Sequence, residues 1–143
     1  MTDNSNRILA ESREKMNIAL NEIGQRAVGH ARENAPVGTP ESTGIKNYHG
    51  GALRNSLTYK VIDDCAYIGT NLTADGAPYP VYVEFGTGIF AENGRKTPWV
   101  WRDKNGKFHF THGIKPTHFL RNAIQDNKEE YLSVIRKYFN INE

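Results

Sequence analysis

The sequence has little cysteine, no long apolar run and almost no excess of charge, and each shortage excludes a class of protein. Cys65 is the one cysteine among 143 residues, which excludes an internal disulfide framework and favours a reducing cytoplasm. No apolar stretch approaches the roughly 20 residues that span a bilayer, so we expect a soluble protein with no membrane partner. The N-terminus has no basic segment followed by an apolar one, so we expect no secretory signal.

Charge and composition fit one globular domain. Eighteen basic and 16 acidic residues give a net charge of +2, too small for a protein that coats DNA, although passing contact with nucleic acid stays open. With 38% hydrophobic and 24% charged residues, a chain of this length buries about two thirds of its unfolded surface on folding. We therefore expect a single domain over residues 1–143 whose core needs no metal and no cofactor.

The chain is predicted to begin and end with an amphipathic helix. In the first, small and apolar residues recur at three- and four-residue steps from Ile8 to about Ala35, and Pro36 ends the helix. Gly24 and Gly29 lie inside it and indicate either close packing of another element, which we favour, or a slight break in the helix. Thr117 is placed to cap the second helix. The apolar positions of that helix are Leu120, Ala123, Ile124, Tyr131, Ile135, Tyr138 and Phe139.

Between these helices the sequence predicts a long loop over residues 37–52 and then strands. Leu53 to Val61 and Cys65 to Thr70 are rich in β-branched and aromatic residues and predict an antiparallel pair. Tyr82 to Phe85 predicts a further strand that turns sharply at Gly86-Thr87-Gly88. This leaves Glu84 to accept hydrogen bonds from neighbouring backbone or basic groups.

Trp99 to Thr111 predicts a hairpin because Asn105-Gly106 favours a two-residue type I′ turn. Lys104 would then lie opposite Lys107, Trp101 opposite Phe110 and Trp99 opposite His112. One face would be aromatic, with Trp99, Trp101, Phe108 and Phe110. The other would carry Arg102, Lys104, Lys107 and His109. The predicted fold class is α+β: an N-terminal helix, an antiparallel sheet with the long loop and the aromatic hairpin, and a C-terminal helix, with both helices on one sheet face.

Candidate chemistry is sparse. The five histidines give no clear metal-ligand spacing. Asp63, Asp64 and Glu84, with Lys60 nearby, could hold Mg²⁺ in a nuclease, but aspartates are also common at a turn between strands.

Nucleophilic and phosphate-binding sites are no better supported. Ser56 and Cys65 lack a glycine elbow, and Cys65 is interpreted as a half-buried packing residue. The glycines at Gly86 and Gly88 lack a Walker lysine.

Several motifs in order resemble one family. They are Ala35-Pro36-Val37, Thr43-Gly44, Leu53-Arg54-Asn55-Ser56, Ile68-Gly69-Thr70, the segment Tyr79 to Gly88, and Pro116, Phe119, Leu120 and Ala123. In this order they resemble the neck and tail-completion proteins of tailed bacteriophages, the gp-ten-like head–tail joining family. The resemblance covers roughly Ala35 to Ala123. Here Ile45 to Ala52 is inserted between the Thr-Gly and Leu-Arg motifs, and the hairpin lies in a variable stretch of the family.

The resemblance implies a structural, non-enzymatic protein of a virion or phage-tail-like particle, assembled in the bacterial cytoplasm. It implies a homo-oligomeric ring that joins the connector or head-closure protein to the tail tube, with DNA passing through the lumen. Neck and tail-terminator positions, ring size and tail type stay open. The candidate interface and structural residues are Thr43, Gly44, Leu53, Arg54, Ser56, Tyr82, Glu84, Phe85, Gly86, Thr87, Gly88, Trp99, Trp101 and Phe119.

Two alternatives follow from the residues themselves. One is a small Mg²⁺-dependent nuclease built on Asp63, Asp64 and Glu84. The other is a nucleic-acid-binding module in which Arg102, Lys104 and Lys107 contact phosphates beside stacked aromatic side chains.

Overall fold

The computed structural model describes residues 3–43, 46–47, 49–103 and 105–141, so the predicted positions of Gly44, Ile45 and Lys104 lie outside the described residues. The elements are, in chain order, α1 (Ser5–Asn34), α2 (Pro40–Thr43), α3 (Ala52–Ser56), β1 (Thr58–Ile62), β2 (Cys65–Gly69), α4 (Tyr79–Phe85), a 3-10 turn (Gly88–Phe90), β3 (Trp99–Arg102), β4 (Phe108–Thr111), α5 (Phe119–Gln125) and α6 (Lys128–Phe139). This mixture confirms the α+β class. No helix among the described residues combines the length and apolar character needed to cross a membrane.

Helix α1 follows the predicted pattern closely. It ends at Asn34 because Pro36 requires an extended residue before it, and Ala35 has φ −66° and ψ 128°. A β-carbon at Gly24 would lie 2.3 Å from the Tyr59 ring, which confirms close packing there. At Gly29 nothing lies within 4 Å of such a carbon, so the packing prediction was wrong for that residue.

Strands β1 and β2 form the first sheet, an antiparallel pair that lies against α1. Asp63 and Asp64 connect them with φ values of 48° and 59°, the left-handed pair of a two-residue hairpin turn. The predicted turn is confirmed. The predicted start of the first strand was wrong, because Ala52–Ser56 forms α3. Cys65 is exposed rather than half-buried, because alternate residues of β2 face away from α1.

Strands β3 and β4 form a separate sheet, so the single predicted sheet was wrong. The hairpin itself is confirmed, but its register is shifted by one residue: Trp101 pairs with His109 and Val100 with Phe110. Asp103 causes the shift, because its carboxylate accepts the N–H groups of Asn105 and Lys107 at 2.9 Å and closes a longer loop. A shift of one residue in the register moves every side chain of one strand to the other face relative to its partner strand.

The aromatic side chains of the hairpin are therefore divided between its two faces. Trp99, Trp101, His109 and Thr111 share one face; Val100, Arg102, Phe108 and Phe110 share the other. The His109 ring stacks on Trp101 with centroids 4.5 Å apart. The predicted pairing of Trp99 with His112 was wrong, since Trp99 pairs with Thr111.

The C-terminal region contains two helices instead of the predicted single one, with Asp126 and Asn127 between them. Both residues favour helix ends because their side chains compete for backbone hydrogen bonds. The carbonyl of Ala123 accepts the Tyr131 hydroxyl at 2.6 Å and the Asn127 side-chain amide at 3.0 Å, which fixes α6 on α5. Both helices pack mainly on α1, not on a sheet face as predicted.

The core lies where α1, α3, α4 and α5 meet. Phe119 is fully buried at its centre. The surrounding buried residues are Val28, Ala31, Ala35, Leu53, Leu57, Val83 and Ala123. Small buried residues on α1, among them Ala27 and Ala31, allow α5 to pack closely on it.

Candidate functional site

Helices α4 and α5 are joined by the side chain of Glu84. Its carboxylate accepts the backbone N–H of Leu120 at 2.8 Å and that of Arg121 at 3.2 Å. These groups belong to the first turn of α5, where no carbonyl within the helix can accept them. Glu84 is only 4% exposed and supplies the cap that the N-cap residue His118 lacks. The predicted role of Glu84 as an acceptor of backbone hydrogen bonds is confirmed.

The predicted strand at Tyr82 to Phe85 was wrong, since these residues belong to α4. Pro80 in the first turn is the signal for a helix start. Thr117 does not cap the following helix either: its hydroxyl donates to the Val83 carbonyl at 2.9 Å, and its N–H donates to the same oxygen. Two consecutive residues of α4 thus hold the segment that leads into α5.

The Gly86-Thr87-Gly88 segment packs backbone against backbone on residues 112–116. The Thr87 N–H donates to the Ile114 carbonyl at 2.9 Å, and the Thr87 hydroxyl accepts the Ile114 N–H at 3.0 Å. Gly88 has φ 61°, and a β-carbon there would lie 1.9 Å from the His112 carbonyl oxygen. Gly86 and Gly88 are therefore both required, as predicted, because the chain turns sharply here and its backbone closely approaches residues 112–116. The turn follows a helix and not the predicted strand.

Beside this junction lies an apolar depression, which we call the α4–α5 groove. It has a volume of about 530 Å³. Its principal apolar side chains are Ile68, Pro80, Val81, Phe85, Leu120 and Ile124. Phe85 is 60% exposed at its edge, while the neighbouring Tyr82 is also exposed.

The second exposed apolar surface is the β3–β4 hairpin, which we call the hairpin arm. Its side chains Phe108 and Phe110 are 68% and 65% exposed, and Val100 and Trp101 are also exposed. Among the described residues, neither strand packs extensively on another helix or strand. The arm is attached at its base, where Ile89 donates its N–H to the His112 carbonyl at 3.0 Å.

The remaining predicted site residues lie apart from these surfaces. Leu53 is buried in the core. Arg54 is exposed and its guanidinium lies 3.5 Å from the Ala35 carbonyl. Ser56 donates to the Leu53 carbonyl and accepts the Thr70 hydroxyl at 2.6 Å. Thr43 is the last residue of α2.

The structure does not assemble the predicted nuclease site. Asp63 and Asp64 lie at the exposed β1–β2 turn, whereas the Glu84 carboxylate is buried against α5. In the ranges that the structure describes, no three His, Cys, Asp or Glu side chains are grouped as a metal site would need. Ser56 is engaged in local hydrogen bonds, and no histidine is among its hydrogen-bond partners described here.

A polar cluster between α1 and α6 was missed by the sequence analysis. Glu22 accepts the Tyr138 hydroxyl at 2.6 Å, an Arg26 nitrogen at 2.8 Å and the Lys137 ammonium at 3.2 Å. These donors, the Tyr138 hydroxyl foremost, lower the pKa of Glu22 to about 2. Arg26 also contacts Glu130 at 2.7 Å. The Glu22–Arg26 contact is an i,i+4 pair within α1, whereas the contacts of Glu22 with α6 and of Arg26 with Glu130 span more than 100 residues, so no local pattern could have identified those.

No protein-family model matches the chain, and neither a curated protein nor a solved structure matches it significantly. The site must therefore be interpreted from its own geometry, together with the order of motifs in the sequence.

Proposed function

We propose that this chain is a structural protein of a phage or prophage-derived tail particle. It forms a homo-oligomeric ring at the head–tail junction or tail end and docks the connector to the tail tube. It acts without catalysis, in a virion or phage-tail-like particle assembled in the bacterial cytoplasm. Its partners are further copies of itself and the connector, head-closure and tail-tube proteins.

The hairpin arm is the observation that carries this proposal. A two-stranded hairpin is at best marginally stable alone, and this one leaves Phe108 and Phe110 about two-thirds exposed. Monomeric proteins rarely expose such clustered apolar side chains without a binding role. A protein that is completed by docking to neighbours explains why the fold retains this arm.

The junction between α4 and α5 supports the same proposal. The two sequence segments with the most family-like residues, 79–88 and 116–123, meet through Glu84, Val83 and Gly86. Each residue type suits its position: Glu84 is a buried carboxylate, Val83 is a buried apolar side chain of the core, and Gly86 is a glycine at positive φ against Pro116. The motif therefore builds a rigid platform from which the arm and the groove are presented.

Electron microscopy of the purified full chain tests the proposal. We expect closed rings with rotational symmetry at high protein concentration. Only single-domain particles at every concentration would contradict it. Incubation of the same sample with plasmid DNA and Mg²⁺ tests the nuclease alternative, and we expect no cleavage. Reproducible cleavage that Glu84→Gln abolishes in a folded variant would support the nuclease instead.

A further inference from the structure

The hairpin arm and the α4–α5 groove are complementary surfaces of one chain. The arm projects and is apolar on its Val100, Phe108 and Phe110 face. The groove is concave, has a volume of about 530 Å³ and is lined mainly by aliphatic and aromatic carbon. Volumes of this size accommodate several side chains. Neither strand of the arm packs extensively on α4 or α5 among the described residues, so the arm does not fill the groove of its own chain.

We propose that the ring contact is head-to-tail: the Val100, Phe108 and Phe110 face of the arm in one copy docks in the α4–α5 groove of the next copy. This inference rests on the proposed ring function and specifies its interface. A contact between two different patches of the same chain repeats around a ring, whereas a self-complementary patch closes as a dimer.

The area of the arm agrees with this assignment. A buried aromatic side chain covers about 150–250 Å², so the exposed fractions of Phe108 and Phe110 together amount to on the order of 250 Å² of apolar surface. A stable interface buries about 800 Å² from each partner. The two phenylalanines would thus form about a third of one partner's contact area, and Val100, the arm's backbone and flanking residues would supply the rest.

The charges also suit the centre of an interface, where charged groups are depleted. The Glu84 carboxylate at the groove is already satisfied by two backbone N–H groups. On the arm, Arg102 donates to the Gly106 carbonyl at 3.1 Å and lies over the Phe108 ring at 5.6 Å. Arg121 also lines the groove and is exposed, so its guanidinium would have to stay in solvent at the rim of the contact.

Two segments could occupy the α4–α5 groove: the arm of a second copy of the chain, or the exposed first turns of α1. The arm of a second copy is favoured. The first turns of α1 present only Ile8 and Leu9 as large exposed apolar residues, and Arg7, Glu11 and Arg13 lie around them. The arm offers more contiguous apolar surface on a two-stranded support. If α1 occupied the groove, variants of the arm would still form rings.

The test uses two variants and their mixture, measured by light scattering. Phe108→Thr/Phe110→Thr removes the arm's apolar face while keeping strand-forming residues. Ile124→Lys places a charge in the groove near the C-terminus of α5, where a cation is tolerated. Tyr67→Thr is the control, because Tyr67 is an aromatic residue on the other hairpin that is 58% exposed, close to the values of Phe108 and Phe110. Circular dichroism verifies that each variant is folded.

We expect the control to form rings and each test variant alone to remain at the 16.1 kDa monomer mass. Mixed in equal amounts, the two test variants should form a species of twice that mass and no larger, because only one arm and one groove remain intact. Rings from either test variant, or a mixture that stays monomeric, would overturn the proposed interface while leaving the ring function standing. Absence of rings from the unmodified chain would contradict both.

Covalent trapping gives an independent result. In a Cys65→Ser background, which removes the exposed native thiol, Val100→Cys and Val81→Cys place thiols on the arm and the groove edge. Mild oxidation of the two proteins mixed should give a disulfide-linked dimer of one chain of each kind. Equal cross-linking within each protein alone, or none in the mixture, would overturn the assignment.

Discussion

The Glu84 carboxylate accepts the backbone N–H of Leu120 at 2.8 Å, across 36 residues of sequence. A buried acid therefore performs for α5 the task that a neighbouring Ser, Thr or Asp performs in most helices. This contact fixes α5 against α4, and the groove lies beside that junction.

Removing the Glu84 carboxylate should destabilise the fold. We expect Glu84→Ala to lower the free energy of unfolding by about 2 kcal/mol, because two helix N–H groups lose their acceptor in a buried site. Glu84→Gln should cost less, since its amide oxygen can still accept. Urea unfolding measures both, with the exposed Glu92→Ala as control. Equal midpoints for Glu84→Ala and Glu92→Ala would contradict the capping role.

The two glycines of α1 should respond to alanine with opposite sign. Gly29→Ala should raise the free energy of unfolding by about 0.5–1 kcal/mol, because the site is open and alanine favours helix. Gly24→Ala should lower it by about 1–3 kcal/mol, because the new methyl group would overlap the Tyr59 ring. Thermal unfolding compares them, and a shift of the same sign in both would show that Tyr59 packing is not the cause.

Gly88 should tolerate alanine worse than Gly76, although both have positive φ values, of 61° and 78°. Left-handed backbone costs alanine about 1–2 kcal/mol in each case. Only at Gly88 would the β-carbon also meet a backbone oxygen, that of His112, whereas Gly76 is open. We expect Gly76→Ala to fold with a small loss and Gly88→Ala to lose more than twice as much. Similar unfolding midpoints would argue against the backbone contact.

The contact between α1 and α6 should weaken in acid. Glu22 has a pKa of about 2 in the folded chain against an ordinary value of 4.5, so its contribution to stability is complete above about pH 4.5 and is lost as the pH falls towards 2. We expect the unmodified chain to exceed Glu22→Gln in stability at pH 7, with the difference vanishing near pH 2.

Urea unfolding from pH 7 to pH 2 measures that difference. Tyr138→Phe serves as a second variant, because it removes the largest cause of the lowered pKa and should move the loss to higher pH. A difference between the unmodified chain and Glu22→Gln that stays constant over this range would contradict the assignment.

Local signals predicted the parts of the fold that depend on neighbouring residues. Pro36 ends α1, Asp63 and Asp64 form a turn, and Gly24 marks a close contact. The hairpin was identified by Asn105-Gly106, but its register depends on Asp103, whose side chain competes with that turn for the same N–H groups.

Elements and contacts that depend on residues distant in the sequence could not be predicted from local signals. Tyr82 to Phe85 has the composition of a strand, yet it forms a helix whose Val83 and Glu84 contact the segment entering α5. The division of the C-terminal helix had a local signal in Asp126-Asn127. The contacts of Glu22 with Tyr138 and Lys137 had none, because these partners lie more than 100 residues away, at the other end of the chain.

The mass of the chain in solution tests most directly the proposed assembly of the chain with itself into a closed ring. Light scattering over at least a tenfold concentration range at physiological salt should give a mass that rises from 16.1 kDa and stops at a fixed multiple, because a closed ring has no free contact left. A mass of 16.1 kDa at every concentration, or growth without a limit, would contradict it.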